Sequence, residues 1–268
     1  MKILILGCGP AGLIAAHAVA SRGHVPHIYS KPRKSFMNGA QYLHAPIPDA
    51  SKSEPFLISY EMSGSIDGYR DKVYGAGSAV QVSPETLVGR HLAWDIREAY
   101  DWLWDRYGHT VTGFEAGIGD SIARLVHFVE PDATISTIPA KLLCTQEHWF
   151  GSTKVWSSDY SEVELSDNTV LCQGEPGFPW YRASKIQGHE NTEWPLSQHP
   201  DRNGGVRKGH GLWLVEKPTT TTCRCLPDVV RMGRYGQWKK GVLSHEAWDD
   251  TMKLIDRLEG KTDAPTDA

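Results

Sequence analysis

The chain has 268 residues, 40% of them hydrophobic and 22% charged, with a formal net charge of −4. This is the composition of an ordinary globular protein, long enough for one large domain or a domain carrying a lobe. No apolar run reaches the length of a membrane span, and the acidic balance gives no general pull toward nucleic acid. Five scattered cysteines make no disulfide framework and no basic leader precedes the first apolar run, so a reducing, cytoplasmic compartment is expected.

Lys2 to Leu6 reads as a short apolar strand. Gly7-Cys8-Gly9-Pro10-Ala11-Gly12 follows as a G-x-G-x-x-G turn opening a helix of small residues, Ala15, Ala16, Ala18 and Ala20. In such a turn the first glycine permits the sharp bend and the second lets the backbone approach a pyrophosphate. The third lets helix and strand pack closely. The helix N-terminus, with Pro10 and Ala11 in its first turn, offers free N–H groups to phosphate. A second strand from Val25 to Tyr29 completes a β-α-β unit, and dinucleotide binding is expected. The acidic residue that usually binds ribose after this strand is replaced by Ser30-Lys31-Pro32-Arg33-Lys34. Ser30 keeps one ribose hydrogen bond available. Lys31, Arg33 and Lys34 suit a 2′-phosphate or a solvated loop, so NADP stays open beside FAD. Cys8 is expected to pack beneath the turn.

Residues 35–83 are rich in Gly, Ser, Pro and Tyr, with a strand-like piece at Lys72-Val73-Tyr74. Ser83-Pro84 predicts the start of a helix that runs through Leu92, Ile96, Tyr100, Leu103 and Tyr107 and stops at Gly108. Residues 109–131 suggest a strand and a short helix from Ser121 to His127, and 132–137 a strand ending at Ile138-Pro139. Residues 150–216 alternate strand patterns with turns, and Asn191 to Gly211 reads as the loop-like part. A short strand at Val229–Met232, a turn-rich stretch to Gly241 and an amphipathic helix from Val242 to Leu258 follow. The expected fold class is α/β: a glutathione-reductase-type (Rossmann-like) FAD-binding domain from residues 1–140 and 218–260, with a small β-rich substrate lobe from 141–217. Residues 261–268 read as a polar, disordered tail.

Three segments together resemble flavoproteins of the amine-oxidase and UDP-galactopyranose mutase superfamily. They are the Gly7–Gly12 turn, the Ile135-Ser136-Thr137-Ile138-Pro139 strand and Thr-x-Pro turn, and Gly233-Arg234-Tyr235-Gly236-Gln237-Trp238-Lys239 leading to Gly241 and Val242. Phe178-Pro179-Trp180-Tyr181-Arg182 resembles the superfamily's strand with an inward arginine. The likeness covers about a third of the chain. It implies FAD as cofactor, held by the turn residues, Ser30, Lys31, Thr137, Pro139, Gly233, Arg234, Lys239, Gly241 and Val242. The superfamily's early Gly-Gly pair is replaced by Asn38-Gly39-Ala40-Gln41-Tyr42-Leu43-His44. That segment resembles small bacteriophage-encoded FAD-binding proteins, a group linked to DNA-base modification.

A flavin supplies its own redox chemistry, so the chain needs no nucleophile or metal. Gln41 and Tyr42 are candidates to face the flavin ring. His44 is a candidate to move a proton, or a structural histidine. Arg182 fits either a clamp on carboxylate or phosphate or a surface salt bridge. Arg234 suits flavin or substrate phosphate. Cys223-Arg224-Cys225 offers two soft ligands, and zinc would need two more from residues such as Cys172, His189 or His210. No second pair has ligand spacing, so plain thiols and no metal are expected, with a C-x-C disulfide relaying electrons to the flavin as the other alternative. Trp94, Asp95 and Arg97 are placed on the long helix. The leading functional expectation is an FAD-dependent oxidoreductase acting on a C–N bond of an amine or amino-acid-like molecule. The alternatives are a nucleotide-sugar mutase, an enzyme acting on a modified nucleotide or on DNA bases, and a nucleotide-binding protein without turnover. The basic segments 31–34 and 202–208 offer charge to phosphates, but no nucleic-acid module is present.

Overall fold

The structure is a computed structural model and describes residues 1–31, 37, 40–114, 120–200 and 209–261. The expectations placed on Arg33, Lys34, Asn38, Gly39, residues 202–208 and 262–268 lie outside them. The chain begins with β1 (Lys2–Leu6), α1 (Pro10–Ser21) and β2 (Val25–Ser30), then β3 (Phe56–Ser63) and α2 (Ile66–Tyr74). β4 (Gly89–Ala93), α3 (Ile96–Tyr107), β5 (Thr112–Gly113), α4 (Asp120–Val129) and β6 (Ala133–Ser136) follow. The second half holds β7 (Phe150–Ser158), β8 (Thr169–Gln173), β9 (Arg182–Ile186), β10 (His189–Pro195) and β11 (Leu212–Thr221). It closes with β12 (Val229–Arg231), α5 (Gly233–Gln237) and α6 (Glu246–Leu258). No helix among the described residues is long and apolar enough to cross a membrane.

These strands form two sheets. The first is five-stranded and parallel, in the order β12-β6-β1-β2-β5. Its central strand is covered on both faces, which is why Ile3, Leu4, Ile5 and Leu6 form an unbroken apolar run with no exposed side chain. α1 is buried from Gly12 to Val19 because α3 and α6 both pack on it. His17 in α1 is therefore structural. Tyr107 Oη lies 2.8 Å from its Nδ1 and the Pro48 carbonyl 2.9 Å from its Nε2, and burial lowers its pKa. The second sheet has seven strands in the order β11-β7-β10-β9-β8-β3-β4, antiparallel except at β3–β8. β3 and β4 thus join a sheet otherwise built from residues 150–221.

Four local expectations change. The long helix starts at Ile96 and not at Pro84, because residues 89–93 pair with β3 as an edge strand. Leu92, counted toward a helical stripe, is 53% exposed there. Asp95 is the N-cap of α3, its Oδ1 accepting from the Arg97 amide at 2.7 Å, so Trp94 and Asp95 precede the helix. Lys72–Tyr74 belongs to α2, which Ser65 caps. Asn191–Pro195 is strand: the Asn191 amide is buried, but it donates to Ser157 Oγ at 2.8 Å and to the Ser158 carbonyl at 2.7 Å. The last helix begins at Glu246, whose carboxylate reaches back to the Leu243 amide at 3.1 Å. Val242 to His245 is turn, entered through Gly241 at φ +83°.

Candidate functional site

The parallel register brings the predicted nucleotide residues to one edge. Leu6 stands beside Tyr29 and Ser136, and Arg231 beside Ser136, so the segments after β1, β2, β6 and β12 all leave the same end of the sheet. In open parallel sheets that carboxyl edge is where ligands bind. Two of the three glycines are required by the backbone around them. Gly7 has φ +105°, and an added Cβ would meet Thr137 Oγ1 at 2.5 Å. A Cβ on Gly12 would sit 2.0 Å from the Gly7 carbonyl oxygen. Gly9 is different: its backbone is extended and a Cβ there meets no atom within 4 Å. Nothing in the fold needs a glycine at position 9, and the space beside it is open for a ligand.

The turn is braced from its neighbours. The Cys8 amide donates to Ser30 Oγ at 3.1 Å, and Thr137 Oγ1 donates to the Leu6 carbonyl at 3.1 Å. The Cys8 thiol packs inward and donates to the Lys31 carbonyl. Pro139 leads into a short 3-10 turn at Ala140–Leu143. Gly233, at φ +68°, brings α5 against the first turn of α1, where a Cβ on it would lie 2.8 Å from Ala11 Cβ. The next residue, Arg234, has a buried Nε with no partner. Ser136 Oγ nearby is in the same condition.

From Arg234 the site continues onto the second sheet. Glu193 on β10 is buried and central. Lys217 Nζ donates to both its oxygens at 2.6 Å, Tyr181 Oη donates to Oε2 at 2.7 Å, and Arg182 Nη2 lies 2.8 Å from Oε2. Burial opposes ionisation of Glu193, but Arg182 and Lys217 outweigh it and hold the carboxyl well below its ordinary range. Burial pulls the Lys217 ammonium down to about 8, with the charges of Arg182 and Arg234 adding to it against Glu193. Burial lowers Arg234 as well. Two cations, Arg182 and Lys217, therefore share one carboxylate, and Arg234 adds a third positive charge that both it and its neighbours feel.

A run of rings extends this wall. Tyr42 Oη and Tyr60 Oη are 2.7 Å apart, and both tyrosines feel the charge of Arg182. The Tyr42 ring is 4.6 Å from His44, whose ring is 5.9 Å from His245. Loss of water, then the neighbouring His245 and His91, lower the pKa of His44. Loss of water lowers His245 too, and its Nδ1 is buried without a partner.

Among the residues predicted from sequence, Arg182 pairs with Glu193, Arg234 feels the charge of both, and Tyr42, which feels Arg182, adjoins His44. Gln41 and His44 are exposed, as are Lys239 and Gly241. Lys239 stays near through its amide, which donates to the Arg234 carbonyl at 3.2 Å. Glu193, Lys217, Tyr181 and Tyr60 were missed. The one local signal is at Glu193, a charge set inside a β-branched and aromatic strand segment, Thr192-Glu193-Trp194. Cys223 and Cys225 meet neither His189 nor His210 nor Cys172. Their sulfurs face Cys144 and His148 instead.

No protein-family model matches the chain, and no curated protein matches it. Solved structures do. A reduced UDP-galactopyranose mutase superposes with a TM-score of 0.62 at 14% identity, covering 98% of this chain and 96% of that one. Klebsiella pneumoniae HpxO, complexed with FAD and uric acid, gives 0.57 at 11% identity, covering 98% and 81%. The 2,6-dihydroxypyridine-3-hydroxylase of Arthrobacter nicotinovorans gives 0.53 at 12% identity, covering 98% and 84%. The fold of this chain is similar to that of FAD-binding flavoproteins.

Proposed function

We propose that the chain is an FAD-dependent oxidoreductase whose substrate is a small anionic amine, an amino acid or a relative of one. The residues present fit the cofactor. Open space beside Gly9, the uncapped first turn of α1 and the unpartnered Nε of Arg234 lie together at the carboxyl edge of the parallel sheet. Gly9, Ala11 and Gly12 would hold the pyrophosphate through their amides, with Pro10 setting the first turn. Bound FAD supplies two-electron oxidation of the substrate carbon.

One observation carries the substrate class: Arg182, Lys217 and Arg234 against the single carboxylate of Glu193. The surplus of positive charge suits a carboxylate or phosphate on the ligand, and an arginine binds either in bidentate fashion. Glu193 and Tyr181 fix the cations in place. His44, whose pKa is lowered, is neutral at pH 7 and suited to take a proton from a substrate ammonium. The Tyr42 ring packs beside it, and its other side is open to solvent and to a substrate.

The test is the absorbance of the purified protein after addition of FAD. Anaerobic bleaching of the flavin band by a carboxylate-bearing amine is the expected result. A band bleached by dithionite alone, with turnover of a nucleotide sugar after reduction, favours the second reading, a mutase. The same three cations support that reading, since they also suit a pyrophosphate. Absence of any flavin band overturns both.

A further inference from the structure

Four side chains converge that the proposed chemistry does not use. Cys144 follows the 3-10 turn after β6, and His148 precedes β7. Cys223 and Cys225 follow β11. The β7–β11 ladder ends at the Phe150–Thr221 pair, and His148 and Cys223 each lie two residues beyond it. The ends of the two strands are tied beyond the ladder, where Thr221 Oγ1 and the Thr222 amide both donate to the Trp149 carbonyl. The result is a compact group. The ligand atoms of Cys144, His148, Cys223 and Cys225 all lie within 4.8 Å of one another. Cys144 Sγ is 3.2 Å from His148 Nδ1, and Cys225 Sγ is 3.6 Å from the same nitrogen. None of the three cysteines is in a disulfide.

We propose that Cys144, His148, Cys223 and Cys225 bind a structural zinc ion. Three thiolates and one imidazole are one of the established tetrahedral zinc sets, and four protein ligands leave no open position for chemistry. Zn–S bonds near 2.3 Å put tetrahedral ligand atoms about 3.5–3.8 Å apart, so the observed cluster needs only a small contraction. Surroundings match. Zinc with three thiolates carries one net negative charge, and Arg231 stands beside it. Its Nη2 donates to Cys223 Sγ at 3.4 Å and to the Cys225 carbonyl at 2.7 Å, and its Nη1 donates to the Cys223 carbonyl at 3.2 Å. Such outer hydrogen bonds orient thiolates and offset their charge. The metal takes the place of the thiol protons, including the one Cys144 directs at the Gln146 carbonyl. Its physical role is to join segments that are 77 residues apart in sequence. It clamps the exit from β6 in the first sheet to the return from β11 in the second.

The inference does not depend on the flavin, and its test reads metal. Protein purified without chelator is analysed for metals, and one zinc ion per chain is expected. Cobalt exchanged into the apoprotein should give intense tetrahedral d–d bands to the red of flavin absorption and a thiolate charge-transfer band. Replacing both Cys144→Ser and Cys225→Ser should lower bound zinc to below about a tenth of an ion per chain, whereas His148→Cys, which keeps four ligands, should retain it. Chelator should lower the thermal midpoint of the wild-type protein. Wild-type protein that carries no zinc and takes up none overturns the assignment without any variant. So does iron in place of zinc, zinc kept by the double variant, or a disulfide among these cysteines in protein prepared under reducing conditions.

Discussion

The two halves of the candidate site are built in opposite ways. At the carboxyl edge of the parallel sheet, backbone does the work: Gly7, Gly9 and Gly12 lie within six consecutive residues, and a Cβ on Gly12 would strike the Gly7 carbonyl. On the floor of the second sheet, side chains do it: Arg182, Glu193, Lys217 and Arg234 come from β9, β10, β11 and α5 and mean little until those elements meet. A backbone site tolerates no added atom where the chain is tight. A charged site tolerates no lost partner where water is excluded.

The largest effect is expected on the charged floor. Glu193→Ala leaves Arg182, Lys217 and Arg234 facing one another without a counter-charge, and breaking a buried pair in this way costs about 3–5 kcal/mol. Urea unfolding would measure it, and a loss below about 1 kcal/mol, the worth of a surface pair, would mean the network is solvated. Removing Lys217 as well, by Lys217→Ala, should recover part of the loss.

On the glycine edge, two neighbours should separate cleanly. Gly9→Val should purify folded yet lose FAD, because its side chain enters space that only a ligand would fill. Gly12→Ala should weaken the fold itself by about 1–3 kcal/mol, since the Gly7 carbonyl stands where its Cβ must go. Stoichiometric FAD in folded Gly9→Val would move the phosphate site elsewhere.

Arg234 links the halves. Its Nε has no partner to lose, so Arg234→Ala should leave the thermal midpoint of the apoprotein nearly unchanged. FAD affinity or the rate of flavin reduction should fall about tenfold to a hundredfold, the worth of one charge-assisted hydrogen bond of roughly 1.5–3 kcal/mol. Lysine at 234 should restore only part, lacking the planar fork.

The smallest effect is on pH. Lys217 is an ammonium below about 8 and neutral above it, so binding of an anionic ligand should be strongest below that value and weaken as pH rises through it. Titrating substrate affinity from pH 6 to 10, a range on the order of two units either side of that value, should give a single step. Lys217→Met should abolish it.

Much of the parallel half was legible from residue order alone. A strand-turn-helix with glycines at 7, 9 and 12 is constrained by atoms a few residues apart, so its backbone course follows from local sterics. The Thr137 and Gly233 segments could be recognised by resemblance for the same reason. The helix expected from Pro84 was misread because Leu92 and Ile96 share a helical spacing, whereas pairing with β3 decides the state of residues 89–93. Nothing local marks Glu193 as the partner of Arg182 and Lys217, or Cys144 and His148 as neighbours of Cys223 and Cys225. Those groups are joined by strand register, and register is set by long-range pairing between segments that are far apart in the chain. By itself, then, the sequence determined the glycine turn and the parallel β-α-β frame, because the conformation of the turn is largely set by its own glycines. Only the tertiary structure decided which charges share a carboxylate and which thiols share a histidine, because those contacts exist only once the two sheets are assembled.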